Sequence, residues 1–221
     1  MSLAALLLLS DGRFPAGGHA HSGGAEAAVK AGRIHDSASM AAFLTGRLHT
    51  SGLTAAGLAA AAAGGQGHAE LDEAADARTP APALRATSRR LGRQLLRAAR
   101  AAWPHPDLDR LAAAHPRGAH QPVVLGVAAR AAGLTPADAA AVAAYESVNG
   151  PATACVRLLG LDPYEVAAAL ARLGPQLDAV AEAALEAASH HDVDRLPAAS
   201  APLLDLYAEQ HHSWKVRLFA S

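Results

Sequence analysis

Alanine constrains this chain more than any other feature, because it accounts for 60 of the 221 residues. Alanine has the highest helix propensity of the amino acids, and leucine follows closely. Aromatic residues make up only 4% of the sequence, although aromatic and β-branched side chains are the ones that favour strands. The composition therefore predicts an all-α protein, a single-domain bundle of short antiparallel helices.

Proline and glycine divide the chain into its predicted helices, since proline favours a first helical turn and both residues interrupt a helix. The clearest amphipathic pattern lies at residues 82–102, where leucine and alanine form one stripe and arginine recurs every four residues from Arg85 to Arg97. Asp36 or Ser37 starts a helix that reaches Leu48, and a break at 50–52 separates it from an alanine-rich helix ended by Gly64 and Gly65. The other predicted helices span 2–9, 22–31, 108–113, 122–132, 136–148, 151–159 and 163–190.

The last thirty residues differ in character, because Pro197 and Pro202 interrupt them. We place a helical domain at 1–190 and an extended partner-binding tail at 191–221. Large apolar side chains and arginine are typical anchors for a partner groove, and the tail carries Trp214, Arg217 and Phe219. The alternative interpretation is that the tail folds onto the helical domain. The two interpretations are compatible if the tail docks on that domain when a partner binds.

Charge and composition exclude several classes of partner. The formal net charge is -1 and the pI is about 6.9, which gives no global attraction to nucleic acid or to an anionic membrane. The apolar run 3–9 is too short to span a bilayer and lacks the basic flank of a signal peptide. Cys155 is the single cysteine, which excludes an internal disulfide. We expect a cytoplasmic protein.

Two segments at opposite ends of the chain carry further motifs. The first contains a leucine-rich start, a Pro-x-Gly loop at 15–18, a Ser-x-Gly-x-Glu helix start at 22–26 and an Ala-Gly stop at 31–32. The second is the ending, in which His211 precedes Arg217, Leu218, Phe219 and Ser221. Together with residues 89–96 and 149–160, these two segments resemble the UreF family of urease accessory proteins. His19, His21 and His212 depart from the family pattern of two aromatic residues and a glutamate.

The resemblance implies a non-enzymatic, homodimeric scaffold that helps to insert nickel into urease. It implies that the protein bridges the accessory protein UreD, also called UreH, and the GTPase UreG on apo-urease. In the family the C-terminal tail orders when UreD binds, and the basic position occupied here by Arg157 is implicated in coupling to UreG. The residues to which we assign partner contacts are Pro15, Gly17, Gly18, His21, Ser22, Glu26, Arg89, Arg93, Arg157, His211, Trp214, Arg217, Leu218 and Phe219.

Catalytic and nucleotide motifs are incomplete in the sequence. A phosphate-binding loop requires a glycine-rich stretch that ends in Lys and Ser or Thr, and neither Lys30 nor Lys215 follows one. The segment 20–24 approaches the Gly-x-Ser-x-Gly nucleophile motif but has alanine at its first position and no predicted strand before it. GTP hydrolysis is therefore assigned to a partner, and Ser22 is interpreted as a helix N-cap. The alternative is a small helical enzyme that uses His21 and Ser22.

Twelve histidines leave a metal-binding alternative open, because imidazole is a good ligand for nickel and zinc. The candidate sets are His19 with His21, Glu186 with His190, His190 with His191, and His211 with His212. No set supplies three ligands at a recognised spacing. We expect no stably bound cofactor, with nickel handled by partner proteins.

The arginine stripe on residues 85–97 could contact phosphates of a nucleic acid. Aromatic residues are not interleaved with these arginines, as a single-strand binder would require. Pairing of Arg89 and Arg93 with acidic groups, within the protein or on an acidic partner, is the favoured interpretation.

Overall fold

The computed structural model describes residues 2–220, and helices dominate it. This range contains twelve α-helices and no strand, which confirms the all-α prediction. No helix within it combines the length and the apolar character needed to cross a membrane. The helices are α1 (Leu3–Ser10), α2 (Ala25–Lys30), α3 (Ser37–Arg47), α4 (Leu53–Ala63), α5 (His68–Ala77), α6 (Pro82–Ala102), α7 (Pro106–Ala114), α8 (Gln121–Ala131), α9 (Pro136–Leu159), α10 (Pro163–Arg172), α11 (Gly174–Ser189) and α12 (Pro202–His212).

Helix α4 lies at the centre of the bundle, where it packs against α8, α9 and α11. Its residues from Ala56 to Ala63 are all buried. Alanine removes little apolar area from water per residue, so this core depends on close approach of the helix backbones. A Cβ atom placed on Gly126 of α8 would lie only 2.2 Å from the carbonyl oxygen of Ala59. The alanine content therefore determines both the helices and their short separations.

Helices α3 and α4 are joined by one π-helical turn at Leu48–Gly52, so the predicted break at 50–52 is wrong. Gly52 adopts helical dihedral angles of φ -65° and ψ -50°. The hydroxyl of Thr50 donates to the carbonyl oxygen of Gly46 at 2.8 Å, and that of Ser51 donates to the carbonyl oxygen of Arg47 at 3.3 Å. These polar residues satisfy local carbonyl groups without ending the helix.

Helix α9 continues through Pro151, so the predicted division into 136–148 and 151–159 is wrong. Proline has no N–H group to donate to the carbonyl oxygen four residues earlier, which here belongs to Ser147. Arg47 supplies the missing donor, because its Nε donates to that oxygen at 2.7 Å. The sequence could not show this compensation, since the two residues are about one hundred positions apart.

Three further predicted bounds differ from the structure. The helix predicted at 163–190 is two helices, α10 and α11, and Pro175 lies in the first turn of the second. Helix α5 was missed, because its acidic sequence carries only one large apolar side chain, Leu71. Helix α2 is shorter than the predicted 22–31 and follows Gly23 and Gly24, which both have positive φ. The bounds predicted for α6 are confirmed.

The C-terminal segment contains regular structure that the prediction of an extended tail did not include. Val193–Arg195 form a 3-10 turn and Pro202–His212 form α12. Helix α12 packs against α2 and α6, and its Tyr207 and His211 are buried. Phe219 is also buried, as expected for a tail folded onto its own body. The division of the chain at residue 190 stays a prediction.

Candidate partner-binding surface

The two ends of the chain meet at the carboxylate of Glu26. The turn at Gly23 and Gly24, with φ of 59° and 92°, directs the chain into α2 and places Glu26 in its first turn. The Glu26 amide donates to the Ser22 hydroxyl at 3.3 Å, so Ser22 supports the start of this helix. Glu26 itself is buried. A buried carboxylate requires hydrogen-bond donors, and these come from the end of the chain.

Three donors from the C-terminal segment converge on Glu26. His211 Nε2 lies 2.8 Å from Oε2, the Leu218 amide donates to Oε1 at 2.7 Å, and the Phe219 amide donates to Oε2 at 3.1 Å. Burial raises the pKa of Glu26, but these hydrogen bonds outweigh burial and hold the pKa below its ordinary value. The carboxylate is therefore ionised and stabilises the docked conformation of the tail.

Aromatic contacts on both sides of Glu26 complete the docking of the tail. Lys30 Nζ lies 3.7 Å from the ring centroid of Trp214. The His211 ring lies beside that indole at 4.8 Å between centroids, with 49° between the ring planes. The guanidinium of Arg157 lies 4.7 Å from the ring centroid of Phe219. Cation–π contacts of this kind contribute about 0.5–1 kcal/mol at exposed sites and more when desolvated. The tail is held by several groups of the body and not by Glu26 alone.

The outer side of the docked tail exposes apolar and basic side chains. Leu218 is 70% exposed although its amide is bonded to Glu26, and Val216 is 86% exposed. Lys215 and Arg217 are also exposed. Terminal segments that present apolar groups between cations suit a protein partner. Ser221, the last residue of the family-like ending, lies outside the described residues.

The glycine-rich loop, residues 15–24, lies beside this surface. The Ala220 amide donates to the carbonyl oxygen of Ala20 at 2.8 Å, which joins the end of the tail to the loop. Pro15 and Gly18 are exposed. Gly17 has φ of 82°, and a Cβ there would overlap the side-chain amide of Gln94, so only glycine fits that position.

His21 lies within the same loop and is buried. Burial, with smaller contributions from the nearby charges of Arg90, His19 and His211, lowers the pKa of His21 to about 4. The imidazole is therefore neutral at physiological pH. Ser22 is buried as well, and it follows a 3-10 turn instead of the strand that a nucleophile elbow requires. The arrangement does not support the enzyme alternative built on these two residues.

The arginine stripe differs from the docked tail, because Arg89 binds acidic groups of the protein itself. Its guanidinium donates to Asp72 Oδ2 at 2.8 Å, to Asp76 Oδ2 at 2.6 Å and to the Gly118 carbonyl oxygen at 2.8 Å. These bonds raise the pKa of Arg89 although burial lowers it. Internal pairing, one of the two favoured interpretations of the stripe, is therefore confirmed for Arg89. Arg93 donates to the Arg117 carbonyl oxygen and is exposed.

His120 extends this polar network, which the sequence did not reveal. Its Nε2 lies 2.7 Å from Asp76 Oδ1 and its Nδ1 lies 3.0 Å from the Ser88 hydroxyl. The His120 amide donates to Asp72 Oδ1 at 2.7 Å. The only sequence signal was the spacing of Asp72 and Asp76, which places both carboxylates on one face of a helix. The network joins α5, α6 and the start of α8.

Metal-binding geometry is not found in the part of the chain that the structure describes. No group of three or more His, Cys, Asp or Glu side chains within residues 2–220 could hold a metal ion. His211 and His212 lie in the last turn of α12, and His211 is bonded to Glu26. His190 Nδ1 lies 3.2 Å from Arg195. Cys155 is buried, and burial raises the pKa of its thiol to about 11.

A cavity of about 360 Å³ lies under the tail and was not predicted from the sequence. Residues of the glycine-rich loop, α4, α6, α8, α9 and α12 line it. The Glu146 carboxylate projects from α9 and accepts a hydrogen bond from Gln121 Nε2 at 3.0 Å. Burial raises the pKa of Glu146 to about 7, and the Gln121 bond opposes this only in part. Nothing in the local sequence of Glu146 indicated this shift.

Glu146 makes the stability of the protein depend on pH. Its pKa of about 7 in the folded protein exceeds the ordinary value of 4.5, so the folded state holds a proton that the unfolded chain has released. Stability from this group is present below 4.5 and is lost as pH rises towards 7. In urea denaturation, the wild type should lose about 1–3 kcal/mol relative to Glu146→Gln across that window. Parallel pH profiles for the two proteins would contradict the assignment.

Comparison with known proteins agrees with the resemblance of the two ends. The model of the UreF family matches residues 34–174. Urease accessory protein UreF of Mycolicibacterium vanbaalenii is 48% identical over 229 aligned residues, which cover 100% of this chain and 99% of that protein. The proteins of the same name from Mycobacterium sp. strain JLS and from Mycobacterium marinum are 44% and 42% identical, each over 100% of this chain and 99% of its own length. The chain therefore belongs to the UreF family of urease accessory proteins.

Proposed function

We propose that this protein is the scaffold that bridges UreD, also called UreH, and the GTPase UreG while nickel is inserted into apo-urease in the cytoplasm. In this proposal it acts as a homodimer without an active site of its own. Nickel and GTP are handled by the partner proteins, and no cofactor is bound stably. Membership in a family of urease accessory proteins supports the proposal that the protein acts in urease maturation.

The docking of the tail on Glu26 is the observation that carries the proposal. Twelve of the fourteen residues assigned to partner contacts, all except Arg89 and Arg93, belong to this docked arrangement or to the glycine-rich loop beside it. The docked tail turns Leu218 outwards while Phe219 is buried, so one short segment has an inner face bound to the body and an outer face free for a partner. We assign the outer face to UreD.

Arg157 connects the docked tail to the long helix α9. Its guanidinium contacts the Phe219 ring, and its backbone belongs to the last turn of α9. A change in the position of the tail on UreD binding would therefore alter the environment of Arg157. We propose that Arg157 couples the tail to the surface that UreG contacts.

Co-purification tests the assignment of UreD to the tail. Tagged full-length protein, a chain that ends at Ser213 and the Leu218→Asp variant are each expressed with UreD, UreG and the urease subunits. Leu218→Asp places a charge on the outer face while the backbone bond to Glu26 is kept. Tyr164→Asp, at an 86% exposed position on α10, is the matched control. We expect both tail changes to reduce the recovered UreD by about tenfold or more, equivalent to roughly 1.4 kcal/mol.

Two results would argue against this assignment. Full recovery of UreD by the chain that ends at Ser213 would show that the tail is not required. Loss of UreD from the Tyr164→Asp control as well as from Leu218→Asp would show that any exposed charge disrupts the complex. Helical circular dichroism of each variant distinguishes a lost contact from a lost fold.

A further inference from the structure

The cavity beneath the tail contains an arginine whose position is unusual. Arg47 lies at the end of α3 and is one of the residues that line the cavity. The Nε atom donates to the Ser147 carbonyl oxygen at 2.7 Å, the oxygen that Pro151 leaves without a helical donor. This bond fixes the plane of the guanidinium. A Cβ on Gly23 would lie 3.2 Å from its Cζ and Nη2 atoms, so the loop backbone packs against one side of the group.

Arg47 has no acidic partner in the part of the chain that the structure describes. No ion pair within 4.0 Å joins it to a carboxylate of residues 2–220. Burial lowers its pKa to about 10, which still leaves it charged at neutral pH. Arg47 is half-buried, and a charge that is partly removed from water without a counter-ion is unfavourable. The arrangement therefore favours binding of an anion from outside the chain.

The remaining donors of Arg47 define the shape of that anion. A guanidinium has five N–H donors in one plane, and the Nε–H is the one bonded to Ser147. The Nη1 and Nη2 atoms make no hydrogen bond to another residue within 2–220. Two parallel N–H donors on one edge match a carboxylate, which accepts them in a bidentate pair.

Other groups that line the cavity limit the size and charge of the ligand. Its volume is about 360 Å³, enough for a small organic molecule but not for a folded segment of a protein. Ser51, Thr54 and Asn149 provide neutral hydrogen-bonding groups. Asp205 and Glu146 also line the cavity. The Asp205 carboxylate, joined by that of Glu146 once it has lost its proton, disfavours a second negative charge on the ligand. A single carboxylate with a small neutral remainder fits these constraints.

We propose that this cavity is a binding site for a small monocarboxylate, anchored by the Nη1 and Nη2 edge of Arg47. The anchor Arg47 is not one of the residues assigned to partner contacts, although His21 and His211 also line the cavity. The proposal does not depend on the identity of the urease partners. Ser147 and Gly23 act as positioning residues, because they orient the guanidinium without touching the ligand.

Thermal unfolding of the full chain with sodium acetate tests the site, with sodium chloride at equal concentration as the ionic-strength control. At roughly ten times the dissociation constant, acetate should raise the Tm of the wild type by about 4 °C more than chloride does. Arg47→Lys keeps the charge but lacks the planar pair of donors, so its acetate-specific shift should fall below about 1 °C. Arg172→Lys, at an exposed position on α10, should behave as the wild type.

Calorimetric titration of the wild type with acetate provides a second measurement that does not depend on a variant. One saturable site per chain at millimolar acetate is the expected result, and heats no larger than those of chloride would overturn the proposal. Equal acetate-specific Tm shifts in the wild type and in Arg47→Lys would overturn it as well, since binding would then lie elsewhere.

Discussion

Glu26→Ala is expected to free residues 213–220 from the body of the protein. The substitution removes the acceptor of the His211, Leu218 and Phe219 hydrogen bonds at once. Breaking one side of a buried charged contact typically costs about 3–5 kcal/mol, and here the tail can avoid that cost by undocking. The opening equilibrium of the tail should therefore increase by roughly 100-fold or more.

Amide hydrogen exchange measures this opening directly. The Leu218 and Phe219 amides should lose most of their protection in Glu26→Ala, while amides of the central helix α4 keep theirs, because local opening does not require global unfolding. Glu182→Ala, an exposed position on α11, is the matched control. Unchanged protection at Leu218 and Phe219 in Glu26→Ala would show that the aromatic contacts alone hold the tail.

The same variant also separates the docking of the tail from the proposed role of its outer face. If UreD requires a docked tail, Glu26→Ala should lose UreD in the co-purification assay although Leu218 is unchanged. If UreD captures the free tail, recovery should be retained or increase. The co-purification result shows whether the tail docks before or after UreD binds. The contact between Glu26 and the tail is tested separately, by hydrogen exchange.

Asp72→Ala is expected to destabilise the whole fold by about 3–5 kcal/mol. Asp72 accepts hydrogen bonds from Arg89 and from the buried amide of His120, and both donors would lose an acceptor in the interior. A buried donor that is left unpaired costs about 1–3 kcal/mol, and more when it is charged. No local opening relieves this loss, since the network joins α5 and α6 to the start of α8.

Urea denaturation of Asp72→Ala at neutral pH gives the magnitude. Glu73→Ala changes the adjacent, exposed carboxylate of the same helix and should stay within about 0.5 kcal/mol of the wild type. A loss of less than about 1 kcal/mol in Asp72→Ala would mean that water satisfies Arg89 and His120.

The sequence predicts features of this fold that depend on neighbouring residues. It does not predict contacts between distant residues that satisfy a group left without a local partner. Helix α6 was predicted at its observed bounds because Pro82 starts it and its apolar residues repeat at helical spacing. The break predicted before Pro151 was wrong because the bond that replaces the missing N–H comes from Arg47 in another helix. A proline in the sequence indicates that one helical hydrogen bond is lost. Only the tertiary structure shows whether another group replaces the missing donor.

The contacts of the candidate site also could not be predicted from local sequence. Glu26 and His211 were both singled out from family-like segments at opposite ends, but no local pattern could indicate that they touch across 185 positions. Arg89 could be read as a surface cation or as an internal partner, and the choice depended on helix α5, which was missed. The raised pKa of Glu146 also depends on burial by residues far away in the chain.

The contact between the two ends has a consequence for biosynthesis. Translation produces the N-terminal part of a chain first, so α2 emerges well before the residues that bond to Glu26, which follow it by 185 to 193 positions. An incomplete nascent chain can form the central helices, but it cannot present the docked outer face of residues 214–220. The docked surface can form only after both segments have been synthesised, because residues 185 to 193 positions apart build it together.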